Sequence, residues 1–336
     1  MVRPLMGGFV QAVVLHTFGS ARNLRLGECA DPRAESGWVT IRLRASALNW
    51  HDVLVRQGKY GSPLPHVIGA DGAGVRADTG EEVLILPSLW WGGEESAPGS
   101  RWQILGDHQP GTYAELVRVP VECAAAPRPP GLSWPEAAAL PLVGLTTYRA
   151  LFTRGGLHAS ESLLVLGAGG GVATMAVTLA AGIGASVVVT SSSPDKIDQA
   201  RELGARHGVL YTEAGWEQEA RRLSPGGRGF DVVLDSVGTW RESIGTLRPG
   251  GRLIVLGASR AEEVPLDVRG FFFGQYSLLG TTMGSPRDFA GLLSLMETHS
   301  IAPPVIDKVF PLERAGEAHD YLEQGTGFGK VVLAHG

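Results

Sequence analysis

Residues 162–204, SLLVLGAGGGVATMAVTLAAGIGASVVVTSSSPDKIDQARELG, decide the fold. The run 163–166 is apolar, too short for a helix and bounded by glycine, which is the pattern of a buried strand. Gly167-Ala-Gly169-Gly170-Gly171-Val172 follows. After it Val172, Met175, Ala176, Leu179 and Ala180 share one face of a predicted helix, which Gly182 and Gly184 close. A second apolar strand spans 186–190. Strand, glycine turn, helix and parallel strand make a βαβ unit, whose turn lets a pyrophosphate approach the backbone N–H groups at a helix N-terminus. The third glycine of the usual fingerprint is replaced by Val172, with Gly171 beside it. The order of elements, more than the glycines, separates a dinucleotide cradle from an ordinary glycine-rich loop.

The end of the second strand selects the cofactor. An NAD site wants a carboxylate there to hold the ribose hydroxyls. This chain has Ser191-Ser192-Ser193-Pro194-Asp195-Lys196 instead. With no acid at Ser191 a 2′-phosphate meets no repulsion, hydroxyls donate to it, and Lys196 supplies a charge-assisted contact of about 1.5–3 kcal/mol. The expected cofactor is NADP(H). Ser193 and Pro194 also read as the N-cap and first residue of a helix, which leaves Lys196 as a solvated charge in the plainer alternative.

The chain has 336 residues, 44% of them hydrophobic, enough for two domains and a sizeable core. No run of apolar residues is long enough to span a membrane. Lys and Arg number 29 against 34 acids, and the basic residues do not cluster, so nothing points to nucleic acid. The first ten residues, MVRPLMGGFV, lack the apolar core of a signal peptide. Two cysteines, Cys29 and Cys123, build neither a disulfide framework nor a four-cysteine zinc site. A cytoplasmic setting is expected.

Upstream of the cradle the chain reads as β-rich, with strands at 12–15, 38–43, 82–86 and 114–119. Three landmarks lie among them: Asn49-Trp50-His51-Asp52 continuing through Arg56 and Gly58 to Tyr60, then Gly69-Ala70-Asp71-Gly72, then Gly111-Thr112-Tyr113-Ala114-Glu115. With the segment 140–151, LPLVGLTTYRAL, these resemble the medium-chain dehydrogenase/reductase superfamily, from about Gln11 to Leu333. Asn49, Asp52, Arg56, Gly58 and Tyr60 match the spacing of its quinone oxidoreductase, zeta-crystallin-like branch. The resemblance implies an α/β chain with a Rossmann doubly wound parallel sheet at 131–299, and a GroES-like β-rich catalytic domain built from 1–130 and 300–336. It places Asn49 and Tyr60 at the substrate mouth and Thr146 at the nicotinamide end, and it implies a homodimer joined through an edge strand at 277–282.

Zinc alcohol dehydrogenases of this superfamily carry cysteine where this chain has Asn49, and Gly-His-Glu where it has Gly69-Ala70-Asp71. Their structural zinc lobe is replaced here by the segment 88–102, with Trp90, Trp91 and Trp102. No metal is expected, because amide, methyl and indole groups do not substitute for thiolate and imidazole. Without that Lewis acid, the feasible chemistry is hydride delivery to an electrophile already activated by conjugation, a quinone or an α,β-unsaturated carbonyl. Asn49 then donates to the carbonyl oxygen or satisfies backbone groups. Tyr60 donates a proton or braces a turn. His51 and Asp52 serve as acid/base groups or as hydrogen-bonded scaffold. The tryptophans wall a substrate pocket or plug the place of the zinc lobe.

Past the cradle, strands are expected at 209–211, 231–235, 252–257 and 277–282, with a helix at 216–223. Ligands bind at the carboxyl ends of such strands, so Ser236, Val237, Gly257 and Ala258 join the cofactor residues Gly167, Gly169, Gly170, Gly171, Val172, Ser191, Ser192 and Lys196. A small-molecule substrate is expected, with neither membrane nor nucleic acid as partner. The rivals are an alcohol or aldehyde dehydrogenase with unusual ligands drawn from His51, Asp52, His66, Asp107 and His108, and a non-catalytic NADPH-binding protein.

Overall fold

The computed structural model describes residues 8–32 and 35–336, so most of the stretch read against a leader peptide lies outside the described residues. Two compact units emerge, Met1–Leu142 with Pro303–Gly336, and Val143–Ala302.

The first unit begins with β1 (Phe9–Leu15), β2 (Leu24–Ala30), β3 (Trp38–Ala47), α1 (Trp50–Arg56), β4 (His66–Val67), β5 (Asp71–Arg76) and β6 (Glu82–Leu84). It continues through β7 (Ser88–Leu89), β8 (Gln103–Ile104), β9 (Leu116–Pro120) and β10 (Ala126–Pro127) to α2 (Trp134–Tyr148). Alternation in β3 explains its central place: Val39, Ile41 and Leu43 point inward while Arg42 and Arg44 point out. It pairs antiparallel with both β5 and β9. The expected strand at 114–119 starts two residues later, because Ala114 instead makes a single bridge to Ala12 of β1.

The second unit contains β11 (Ser162–Val165), α3 (Gly171–Gly182), β12 (Ser186–Ser191), α4 (Pro194–Glu202), β13 (His207–Leu210), α5 (Trp216–Leu223) and β14 (Phe230–Asp235). Then come α6 (Trp240–Thr246), β15 (Leu247–Val255), α7 (Val268–Phe273), β16 (Ser277–Gly280) and α8 (Pro286–Thr298). Its sheet runs β13-β12-β11-β14-β15-β16, with every neighbouring pair parallel. The order reverses on either side of β11, the point at which doubly wound sheets open a crevice for a ligand. Helices cover both faces, so β11 and β12 are almost continuously apolar and buried. β15 starts five residues before the expected Arg252, because Leu247 already pairs with Phe230 ahead of the Gly250-Gly251 turn.

The chain closes in the first unit with β17 (Ile306–Pro311), α9 (Ala315–Gln324) and β18 (Lys330–Ala334). β18 lies antiparallel to β3, with Val332 opposite Ala47, and parallel to β17. That return brings Lys330 to the start of α1.

The tryptophans plug the segment that replaces the zinc lobe. Trp91 is buried and meets Trp102 edge-on at 6.0 Å. Trp91 Nε1 donates to Glu94 O, Trp102 Nε1 donates to Ser88 Oγ, and Trp90 packs edge-on against Trp38. Their polar tips and faces are engaged in packing this segment.

Candidate active site and dinucleotide cradle

The cradle follows from the glycine turn. Gly167 adopts φ +97°, a conformation that side chains rarely take, and its N–H donates to Thr190 Oγ1 at 3.0 Å. Gly170 is the N-cap of α3 and has no side chain to satisfy the first N–H groups, from Gly171 onward. Space beside Gly170 is open, so an anion can reach those amides. A cleft of about 500 Å³ lies at the carboxyl ends of the strands, lined by Gly167, Thr190, Tyr211, Trp216, Val237 and Arg260 among others. The loop after β14 is held by buried Asp235, whose carboxylate accepts the N–H groups of Val237, Gly238 and Thr239. Ser236 and Gly257 pack backbone to backbone, and a Cβ at Gly257 would lie 2.7 Å from Ser236 O.

The expected 2′-phosphate residues are arranged unequally. Ser192 is exposed and Lys196 half-buried, but Ser191 is buried and its Oγ accepts the Ser193 N–H. Ser193 caps α4 by accepting the Lys196 N–H, and Pro194 opens the helix. Ser191 therefore shapes the turn. Thr146 is buried with its hydroxyl directed at Met283 Sδ, 3.7 Å away, which is a packing contact inside the cofactor unit. Tyr211, Trp216 and Arg260 were not anticipated: they are separated in sequence, and only the sheet order gathers them at one cleft.

In the first unit, α1 organises a second group. Asp52 Oδ2 accepts the Asn49 N–H at 2.8 Å, closing the first turn, and Oδ1 accepts the Ala70 N–H. Asn49 Nδ2 donates to Asp71 Oδ2 at 2.9 Å, while its Oδ1 accepts from Lys330 Nζ. Lys330 Nζ also donates to Leu48 O at 2.8 Å and to Asp71 Oδ2 at 3.1 Å. Asp71 is fully buried and accepts the Leu142 N–H as well. Burial pushes the Asp71 carboxyl up, against the opposing pull of Lys330, Asn49 and Leu142. Both ends of the Asn49 amide are engaged with buried groups. Asp52 ties the start of α1 to Ala70, the residue before β5.

His51, next on α1, lies between two acids. Its Nε2 is 2.7 Å from Asp107 Oδ1, an ion-pair distance reached too obliquely for a regular hydrogen bond, and its Nδ1 is 3.6 Å from Asp52 Oδ1. Burial disfavours the charged ring, yet Asp107 and Asp52 outweigh it and His51 is pushed up to about 9. The Tyr60 ring meets that of His51 edge-on, with centroids 4.7 Å apart, and is 40% exposed. Burial, then Asp107 and Asp52, hold the Tyr60 phenol above its usual range. Thus α1 and the loop after it bring Asn49, His51, Asp52 and Tyr60 together, while Gly167 to Val172 gather at α3.

A catalytic zinc does not fit this group. Asn49 and Ala70 offer no thiolate or imidazole, and the Asp71 carboxylate is consumed by Lys330, Asn49 and the Leu142 N–H. His66, proposed for an unusual donor set, is buried with Nε2 on Gly106 O. Among the described residues no group of three His, Cys, Asp or Glu could hold a metal ion. A nicotinamide dinucleotide does fit the other unit, where uncapped amides, open space and a cleft coincide.

A parallel doubly wound sheet with an open glycine turn, in one chain with a β-rich unit of this topology, is the pattern of a nicotinamide-dinucleotide-binding oxidoreductase. Residues 35–129 match the alcohol dehydrogenase GroES-like domain family, and 171–298 match the zinc-binding dehydrogenase family. A zinc-type alcohol dehydrogenase-like protein of Schizosaccharomyces pombe is 31% identical over 88% of this chain and 90% of its own. A 2-methylene-furan-3-one reductase of Solanum lycopersicum is 33% identical over 94% of this chain and 76% of its own. The crystal structure of an NAD-dependent alcohol dehydrogenase, 39% identical, superposes with a TM-score of 0.91 over 97% of this chain and all of that one. The chain belongs to the medium-chain dehydrogenase/reductase superfamily, in its quinone-reductase-like branch. No helix of the described residues is long and apolar enough to cross a membrane.

Proposed function

We propose that this oxidoreductase is NADPH-dependent and metal-independent, and that it reduces quinones or α,β-unsaturated carbonyls. The observation that carries the reading is the Asn49–Asp71–Lys330 network, in which an ammonium engages the side chains at two positions where the family's zinc enzymes keep ligands. Without a Lewis acid, a simple alcohol is a poor hydride donor and a plain carbonyl a poor acceptor. A conjugated acceptor needs only orientation, exclusion of water and a partner for the developing oxyanion.

The α3 amides would hold the pyrophosphate of a reduced dinucleotide, which when bound would supply the hydride. Ser192 and Lys196, with Tyr211 and Arg260 at the cleft, favour a 2′-phosphate over a free ribose hydroxyl. The relatives include NAD-dependent alcohol dehydrogenases, so both reduced cofactors belong in the test. Loss of reduced-nicotinamide absorbance is followed with benzoquinone, phenanthrenequinone and a medium-chain enal, and the reverse reaction with a simple alcohol, each with and without chelator. Chelator-insensitive turnover with the conjugated acceptors, at least tenfold more efficient with NADPH, is expected. Chelator-sensitive alcohol oxidation would overturn the reading. Binding of NADPH with no turnover would favour a sensor or structural role.

The second element of the proposal is a homodimer. β16 is an edge strand of the sheet, and Val268, Phe272 and Phe273 of the adjacent α7 segment are all more than half exposed. Such an edge and apolar patch suit pairing with a second copy. Light scattering is expected to give twice the chain mass, and Phe273→Glu the monomer.

A further inference from the structure

Glu242 is the third residue of α6, the position from which a glutamate ordinarily reaches back to the N-cap N–H. That N–H, of Thr239, is taken by Asp235 Oδ2 at 3.1 Å, and the same oxygen accepts the Ser243 hydroxyl at 2.9 Å. Asp235 thus fixes the first turn of α6 and leaves the Glu242 carboxylate without its usual partner. Among the described residues Glu242 makes no hydrogen bond or ion pair, although it is half-buried and lines the cleft of about 500 Å³ with Tyr211, Trp216 and Thr239. It also borders a hollow of about 290 Å³ between α5 and α6, where Arg221 and Arg241 stay beyond ion-pair distance. The wall around it is firm. Arg221 Nη1 donates to Gly245 O at 3.3 Å and to Leu247 O at 2.8 Å, tying α5 to the end of α6, and Trp216 packs against the core of Val209, Ala220 and Phe230. All of these residues belong to the unit Val143–Ala302.

A carboxylate accepts hydrogen bonds and repels phosphate, so the group that meets it must bring N–H or O–H donors. Thr190 in β12 and Tyr211 just after β13 put this part of the cleft on the side of β11 where the end of the second strand meets the adenosine ribose. Adenine is the part of the dinucleotide that belongs there, and its exocyclic amine is a donor. We propose that Glu242 reads the adenine base, its carboxylate accepting from the exocyclic amine, with Tyr211 and Trp216 as the aromatic wall against which the base packs. The inference rests on the dinucleotide-binding part of the reading above and on nothing about the acceptor. Aromatic packing is tolerant, because every base has a π face. The carboxylate adds a preference for a 6-amino purine over a 6-oxo one.

The test is calorimetric binding, to the full chain, of NADPH and of its hypoxanthine analogue, in which a carbonyl oxygen replaces the amine and two acceptors face each other. The wild type should bind NADPH roughly tenfold or more tightly than the analogue, the range of a charge-assisted hydrogen bond. Glu242→Gln, an isosteric change at a side chain with no partner in the fold, should bring the two within about threefold, since its amide accepts from the amine or donates to the carbonyl. Glu217→Gln removes a negative charge from the adjoining hollow and should leave the preference unchanged. Trp216→Leu, which keeps an apolar side chain on the core, should weaken both ligands roughly tenfold with the preference intact. Equal affinity of the wild type for the two ligands, or a preference that survives Glu242→Gln, would overturn the inference and leave the dinucleotide site in place. So would an equal loss of preference in Glu217→Gln, which would make the effect one of general charge. No binding of NADPH would overturn both, whereas a wild type that binds it and reduces no acceptor removes the proposed reaction alone.

Discussion

Replacing Lys330 by Met keeps the apolar stem and removes the ammonium that faces Asp71. A fully buried carboxylate is then left with only Asn49 and one backbone N–H. Breaking a buried pair from one side costs about 3–5 kcal/mol, whereas replacing both partners by apolar groups is often nearly neutral. Lys330→Met should therefore lower the unfolding free energy, read from denaturant titration, by that amount, and Lys330→Met with Asp71→Leu should recover most of the loss. Equal loss in the single and double variants would show that the ammonium acts through Leu48 O and Asn49 instead. None of this was legible in the sequence, because Lys330 and Asp71 are 259 positions apart and no local pattern links them. Asn49 and Asp52 differ in this respect. Their three-residue spacing is that of an N-cap and its partner, so a scaffold role was written locally beside the one implied by resemblance. His51 stood out as titratable, but Asp107 could be assigned to it only after the loop following β8 was placed.

At the scale of elements, β11, the glycine turn, α3 and β12 were legible because each has its own periodicity and its boundaries carry glycine. Other strand ends moved: β15 begins before Gly250-Gly251, at Leu247, and β16 stops at Gly280, two residues short of the expected 282. The open N-terminus of α3 makes a prediction with opposite signs in its two readouts. Gly170 has φ −76°, ψ 159° and free space, so Asp is accommodated and can cap the helix. Relative to glycine at this position, Asp should stabilise the apoprotein by a few tenths of a kcal/mol. The same carboxylate would occupy the amides meant for an anion and repel it. Gly170→Asp should thus raise Tm slightly in the apoprotein and weaken NADPH binding by at least tenfold, read by calorimetry. Unchanged affinity would place the pyrophosphate elsewhere.

For the whole molecule, largely buried histidines bend stability with pH in opposite directions. Burial holds His319 at about 4, with its Nε2 against the Tyr113 hydroxyl, and His335 at about 4, beside Ser46. Both are neutral in the fold and take up protons on unfolding. Their contribution is present above the ordinary histidine value of about 6.5 and is lost as pH falls from there toward about 4. His51, raised to about 9 by Asp107 and Asp52 against burial, has the other sign. Its contribution is complete below about 6.5 and is lost as pH rises through about 9. One proton per pH unit corresponds to about 1.4 kcal/mol per group, and His66, which burial also lowers, joins His319 and His335 on the acid side, so the acid limb should be the steeper of the two. Denaturant titrations should therefore find maximal stability between about pH 6 and 7. His319→Gln, whose amide can still meet the Tyr113 hydroxyl, should make the acid limb shallower, and His51→Gln should flatten the alkaline limb alone. An alkaline limb that survives His51→Gln would mean that the charge between Asp52 and Asp107 is not held by His51 in the folded protein.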